Sequence, residues 1–198
     1  MSTVKSKNLQ VGTDATASNN FTIYQPSTPD GTLRIGVGNA DSPTEVGRFN
    51  NNGYVATNAP AFAVGNSSDQ SISSSTNTKV ILDNEDFDTD NCFDASNSRF
   101  TPTVAGYYQI NLTMRFEGTN IVNNTPYIAK NGSVIRVLGV NRFTTSDPVT
   151  ISGSHVVYCN GTTDYIEAYG YLAGTSPKFG YSSTINCCHM SGCLVRAA

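Results

Sequence analysis

Six carboxylates fall within twelve residues: Asp83, Glu85, Asp86, Asp88, Asp90 and Asp94. A hard cation such as calcium gathers roughly six to eight oxygen ligands. The run Asp86-Phe87-Asp88-Thr89-Asp90 offers a carboxylate at every second position, which makes Asp86, Asp88 and Asp90 the candidate metal ligands. The loop glycine and closing bidentate glutamate of an EF-hand are missing. The same run therefore also suits a solvated acidic loop that holds no metal.

A second constellation lies near the C-terminus, where Cys187-Cys188-His189 precede Cys193. Structural zinc usually takes first ligands two to four residues apart. On a strand, adjacent side chains point to opposite faces. Cys187, His189, Ser191 and Cys193 then share one face, and Cys188, Met190 and Gly192 share the other. Packing in a core or along a symmetry axis is the reading that follows, since a thiol behaves as a small apolar group. A ring of His189 side chains from three copies, holding an ion, is the further variant of it.

Hydrolytic chemistry has little to draw on. His155 and His189 are the only histidines, and neither accompanies a nucleophile motif such as Gly-x-Ser-x-Gly. No catalytic residue and no cofactor is expected, and the chain reads as non-enzymatic. Tyr165, Tyr169, Tyr171 and Tyr181 could stack on sugars, because a tyrosine joins an apolar ring to a polar tip. Packing inside the fold or between subunits uses the same residues.

The elements that must position these groups are strands. Ser, Thr and Asn supply 65 of the 198 residues and Gly another 17, while charged residues are only 14%. That mixture favours strands and turns over helices. The net charge of −3 gives no general attraction to nucleic acid. No apolar run approaches the length of a membrane-spanning helix, so neither nucleic acid nor membrane insertion is expected. The opening residues MSTVKSKNLQVGTD carry two lysines but no apolar segment behind them. They give the expectation of a chain without a secretory signal, whose five cysteines stay reduced.

Tyr107 to Phe116 alternates apolar and polar residues with period two, opened by Gly106. Further strands are expected at Ala61–Val64, Lys79–Leu82, Tyr127–Lys130, Ser133–Val140, Thr150–Cys159, Tyr165–Leu172 and from about Thr184 to Arg196. Asn131-Gly132 between two of them is a type I′ hairpin signal. Gly118 to Asn124 reads as a turn, and Asp83 to Asn91 as a loop. Residues 59–198 thus form a sandwich or barrel of strands.

Residues 1–58 differ. Short strands at Phe21–Gln25, Thr32–Val37, Glu45–Phe49 and Tyr54-Val55 are separated by Gly-, Asn- and Pro-rich turns. Large apolar residues are too few for one copy to bury a core. Several copies winding into an intertwined or prism-like β stem is the expectation. Thr57-Asn58-Ala59-Pro60 is the hinge between the halves.

Five pieces of residues 59–198, in order, resemble a known family, the C1q/TNF-like globular domain. They are Ala61-Phe62-Ala63-Val64; Leu82-Asp83 with Phe93-Asp94 and Ser98-Arg99-Phe100; Val104-Ala105-Gly106-Tyr107-Tyr108; Lys130-Asn131-Gly132; and Ser191-Gly192-Cys193-Leu194-Val195. Ser98 stands where the family has a turn glycine, and Ala105 where it has a proline. The resemblance implies a jelly-roll β-sandwich that assembles as a homotrimer at the end of a stalk, which residues 1–58 would supply. Some such heads bind calcium. No Gly-X-Y repeat is present, so the stalk is not collagen. Short β repeats before a C1q-like head look like bacteriophage appendage proteins, particularly those of marine phages. The expectation is a virion protein, made in the host cytoplasm. It would be a trimeric tail fibre or appendage whose head meets a host-surface glycan or protein, while residues 1–58 bind other virion proteins. A capsid decoration or fibre protein, and a free glycan-binding lectin, are the other two readings.

Overall fold

The computed structural model describes residues 8–16, 19–39, 41–56, 59–184 and 187–198, and of residues 54–56 the backbone alone. No α-helix occurs among them, and hence none long and apolar enough to cross a membrane. The chain divides into two compact units, Met1–Asn58 and Ala59–Ala198. Of the expected hinge, Thr57 and Asn58 lie outside the described residues.

The first unit is one antiparallel sheet whose strands lie in chain order: β1 (Asn8–Val11), β2 (Phe21–Tyr24), β3 (Leu33–Val37), β4 (Thr44–Asn50) and β5 (Gly53–Ala56). Its turns use the expected chemistry. Asp30 Oδ1 accepts from the Thr32 amide at 3.0 Å, and Gly31 takes the positive φ that this turn needs. Asn20, almost fully buried, closes the long β1–β2 connection by bonding both the amide and the carbonyl of Asp14. β1 is the one strand here that the sequence pattern does not announce. Four residues among polar neighbours are too few for a periodicity.

The second unit is a two-layered sandwich. Its strands are β6 (Ala61–Gly65), β7 (Gln70–Ser71), β8 (Thr78–Lys79), β9 (Asn84–Asp88), β10 (Phe93–Asp94), β11 (Arg99–Phe100), β12 (Gly106–Lys130), β13 (Ser133–Val137), β14 (Val149–Cys159), β15 (Ile166–Phe179) and β16 (His189–Ala197). One layer runs β9-β6-β16-β12-β14 and the other β10-β11-β15-β12-β13. This crossed connectivity is a jelly roll. β12 belongs to both layers. Its first half, from Gly106, pairs with β14 and β16, and its second half, to Lys130, pairs with β15 and β13.

The bend of β12 falls at Gly118 to Asn124, which the sequence presented as a turn. The strand continues there through two register shifts against β15. Gly118 and Asn120 supply the positive φ values of the bulge. Two further expectations are corrected. β9 lies within the expected acidic loop, and the last strand starts at His189 rather than near Thr184; residues 185 and 186 are outside the described set. Asn131 and Gly132 both have positive φ, 53° and 76°, as a type I′ hairpin requires.

Alternation along β12 fills the space between the layers. Tyr108, Ile110, Leu112, Met114 and Phe116 are all buried. Phe62 from one layer stacks on Phe100 from the other at 4.2 Å between centroids, and Phe100 meets the Tyr108 ring edge-on at 5.5 Å. The Tyr108 hydroxyl donates to the Val104 carbonyl at 2.7 Å, so its polar end is satisfied, and burial pushes its pKa up. Ser98, at the position of a family glycine, adopts φ 46°. Its hydroxyl holds the Leu82 amide at 2.9 Å and the Leu82 carbonyl at 3.1 Å. The side chain thereby offsets the strain of a left-handed non-glycine residue.

Candidate functional site

The structure distributes the acidic run along one edge of the sandwich. Asp83 accepts from the amide and hydroxyl of Ser67 at 2.8 and 2.7 Å. Asp86 lies 3.6 Å from His189 Nε2. Asp88 takes the amides of Asp90 and Phe93, and Asp90 takes the Thr103 hydroxyl. Asp94 accepts from the Ser96 amide at 2.9 Å and from Asn97 Nδ2 at 2.6 Å. The Asn97 side chain first, and then the Ser96 hydroxyl at 2.6 Å, hold its carboxyl down to about 2. Asp83, Asp88 and Asp94 thus each organise a stretch of backbone. No group of three or more His, Cys, Asp or Glu among the described residues is placed to hold one ion. Asp86, on the β9 edge, is directed to His189, whereas Asp88 and Asp90 serve the turn that follows.

The cysteines and histidines separate only in part as expected, since Cys187, expected on the face of His189, lies ahead of β16 and is buried. Cys188, Met190 and Gly192 face the core, while His189, Ser191 and Cys193 face outward. Burial pushes the Cys188 thiol up to about 12 and the Cys159 thiol up to about 11, so neither is a nucleophile at neutral pH. All five cysteines are free thiols. His155 on β14 is partly buried. Desolvation, and then the charge of Arg136, lower its pKa and keep it neutral.

The outward face of the β6/β16/β12/β14 layer carries the most coherent surface. Its rungs follow from the register. Tyr107 pairs with Tyr158, Gln109 with Val156 and Cys193, Asn111 with Ser154 and Ser191, and Thr113 with Ser152 and His189. Tyr107 and Tyr158, 46% and 42% exposed, stand with ring centroids 5.5 Å apart. Val156 and Val195 flank them, both exposed. Thr113 and Ser152 hydroxyls share a 2.9 Å bond farther along. The face is thus aromatic and aliphatic at one end and uncharged and polar through its middle. At the other end Arg115 is held by Glu117 at 2.6 Å. In the other layer, the edge strand β13 exposes Val134, Ile135 and Val137.

The opposite layer holds the tyrosines. Tyr165, just before β15, and Tyr169 and Tyr171 along it point away from the core and are half-buried, and Tyr181 is exposed beyond the strand. Among them sits Glu167, a residue that sequence reasoning passed over. It is 1% exposed, and its Oε1 accepts from Lys79 Nζ at 2.6 Å and Arg99 Nε at 2.9 Å. Arg99 in turn lies 4.0 Å over the Tyr165 ring, a cation–π contact. One carboxylate therefore ties β8 and β11 to β15. Nothing in the string Tyr-Ile-Glu-Ala-Tyr signals it, because an alternating strand usually presents such a glutamate to water. A recess of about 320 Å³ lies beside it, lined by Lys79, Val80, Ile81, Ser96, Asn97 and Ser98.

Neither a family model nor a curated protein matches the sequence. Solved structures do match. The globular domain of zebrafish complement 1qA is similar at 16% identity and TM-score 0.53, covering 70% of this chain and 99% of that one. Murine APRIL is similar at 11% identity and TM-score 0.53, covering 69% and 99%. The Eiger TNF from S. frugiperda is similar at 10% identity and TM-score 0.51, covering 71% and 93%. At these identities the shared property is the fold, and the fold is the C1q/TNF-like jelly roll.

Proposed function

We propose that the chain is a non-enzymatic, homotrimeric structural protein of a bacteriophage virion, a tail fibre or appendage. Its C-terminal unit is the head that meets a host-surface glycan or protein. Residues 1–58 are the stalk or anchor that joins other virion proteins. The observation that carries the reading is the outward face of the β12/β14/β16 layer. Tyr107, Tyr158, Val156 and Val195 leave open an apolar patch of the kind that marks an interface. The resemblance implies a trimer in which a flat face of each subunit packs around a threefold axis, and this face is the one assigned to that role. The phage setting is supported by the pairing of a small β module with such a head, as in the appendage proteins the sequence resembles.

Sedimentation of the purified chain and its position on the particle test this reading. Three chains per assembly and density at the tail, found by cryo-electron microscopy of the particle, are the expected results. Removing residues 1–58 should leave a folded trimeric head that no longer joins the particle, because the head has its own core. A monomeric head would end the threefold proposal. Density on the shell would move the protein to the capsid decoration role, and a protein found free but never in washed particles would make it a lectin. Adsorption is read separately, by binding of the head to host cells with host polysaccharide as competitor.

A further inference from the structure

The sheet of the first unit has two unlike faces. By register, Leu9, Ile23 and Ile35 form one rung, and Val11, Phe21 and Val37 the next. Leu33 adds to the same face. No charged side chain of β1 to β4 points to this side. Leu9, Val11, Phe21 and Leu33 are each about half exposed, at 58%, 57%, 50% and 49%. The other face carries the ions. Arg34 binds Asp30 at 2.5 Å and Glu45 at 2.9 Å, and Arg48 reaches Glu45 at 2.8 Å. Tyr24 and Pro43 lie there too, beside a recess that also includes Asn8, Gln25, Ser27 and Asp41.

A sheet with one apolar face needs a second layer to cover it. The described residues of this unit contain none, since all five strands lie in one sheet. We infer that the second layer is the same sheet from other copies of the chain. The apolar faces of residues 8–56 pack against one another and form the interior of a β prism. Three observations favour copies over a foreign partner. Residues 1–58 contain four Lys and Arg and four Asp and Glu, so copies do not repel one another by net charge. The open apolar side chains offer on the order of 400–500 Å² per copy, a patch of the size that marks an interaction site. A short connection to an assembled head also keeps the sheets at high effective concentration. The ionic face and its recess then look outward, free for neighbouring proteins of the particle. The inference takes the number of copies from the trimer proposed above, and its geometry from this sheet alone.

Thiol cross-linking of the full-length chain tests it. In a Cys193→Ser background, which removes the one exposed thiol, Phe21→Cys or Val11→Cys places a thiol on the apolar face. Arg48→Cys places one on the ionic face. A short bis-maleimide should join chains through Phe21→Cys or Val11→Cys about tenfold faster than through Arg48→Cys, as expected of groups held at high effective concentration. Equal rates would overturn the inference. So would apolar-face thiols that are shielded from a single maleimide yet never join chains, because the cover would then be the head of the same chain or another protein. Two variants, on neighbouring strands of the same rung, guard against one that fails to fold. Sedimentation in parallel separates the two readings. A monomeric chain removes the trimer, whereas a trimer with independent thiols removes only the face-to-face packing.

Discussion

The two units of this chain are written in the same alphabet and reach opposite outcomes. Both alternate apolar and polar residues along antiparallel strands. In Ala59–Ala198 the alternation faces a second layer, and Phe62, Phe100, Tyr108 and Phe116 become fully buried. In Met1–Asn58 the same alternation faces nothing within the unit, and Phe21 and Leu33 stay half exposed. Chain length decides the difference. About 140 residues can fold back as two layers, whereas fewer than about 60 bury too small a share of their surface. The first unit lacks a partner, not a pattern.

The comparison can be broken most strongly in the head. Phe100→Ala or Tyr108→Ala should cost about 3–5 kcal/mol, because each leaves a cavity between the layers. Denaturant unfolding of the full chain reads this, and Phe21→Ala should leave the head transition in place. Equal effects at Phe100 and Phe21 would merge the two units into one. Next in size is Glu167→Ala, which removes the shared carboxylate from the partly exposed Lys79 and Arg99 and should cost about 1–3 kcal/mol. In the first unit Glu45→Ala, at a partly exposed network, should cost about 1 kcal/mol or less.

Two smaller effects sharpen the same contrast. Gly132→Val in the head hairpin forces a branched residue to φ 76° and should cost about 1–2 kcal/mol. Acid should act on the head through Asp164. Its carboxyl is held below the usual range by Lys130 first, then by Asn131. A depressed folded pKa stabilises above the unfolded value, near about 4, and that stabilisation fades as pH falls through the folded value. Asp164→Asn should therefore flatten the decline of the head's unfolding midpoint below about pH 4. Asp30→Asn, in the other unit, should not alter that decline.

Much of the head was legible because its residues obey short-range rules. Asn131-Gly132 can make little but a tight hairpin, and the first half of β12 announces itself by strict alternation from Tyr107 to Phe116. The alternation of His189, Met190, Ser191 and Gly192 between the two faces follows from strand geometry alone. What stayed hidden depends on distant partners. β9 carries Glu85, Asp86 and Asp88 and looked like a loop, since charges are common on an edge strand that pairs on one side only. Gly118 and Asn120 looked like a turn because a bulge uses the same positive φ values. Glu167 acquires its role from Lys79, 88 positions away, and Arg99, 68 away. No local window contains either.

β12 has a mechanical consequence. One continuous backbone is stitched into both leaves of the head, so a pull on either is passed to the other along covalent bonds. Neither leaf can peel away while its mate survives. A body made this way should yield in a single step under load.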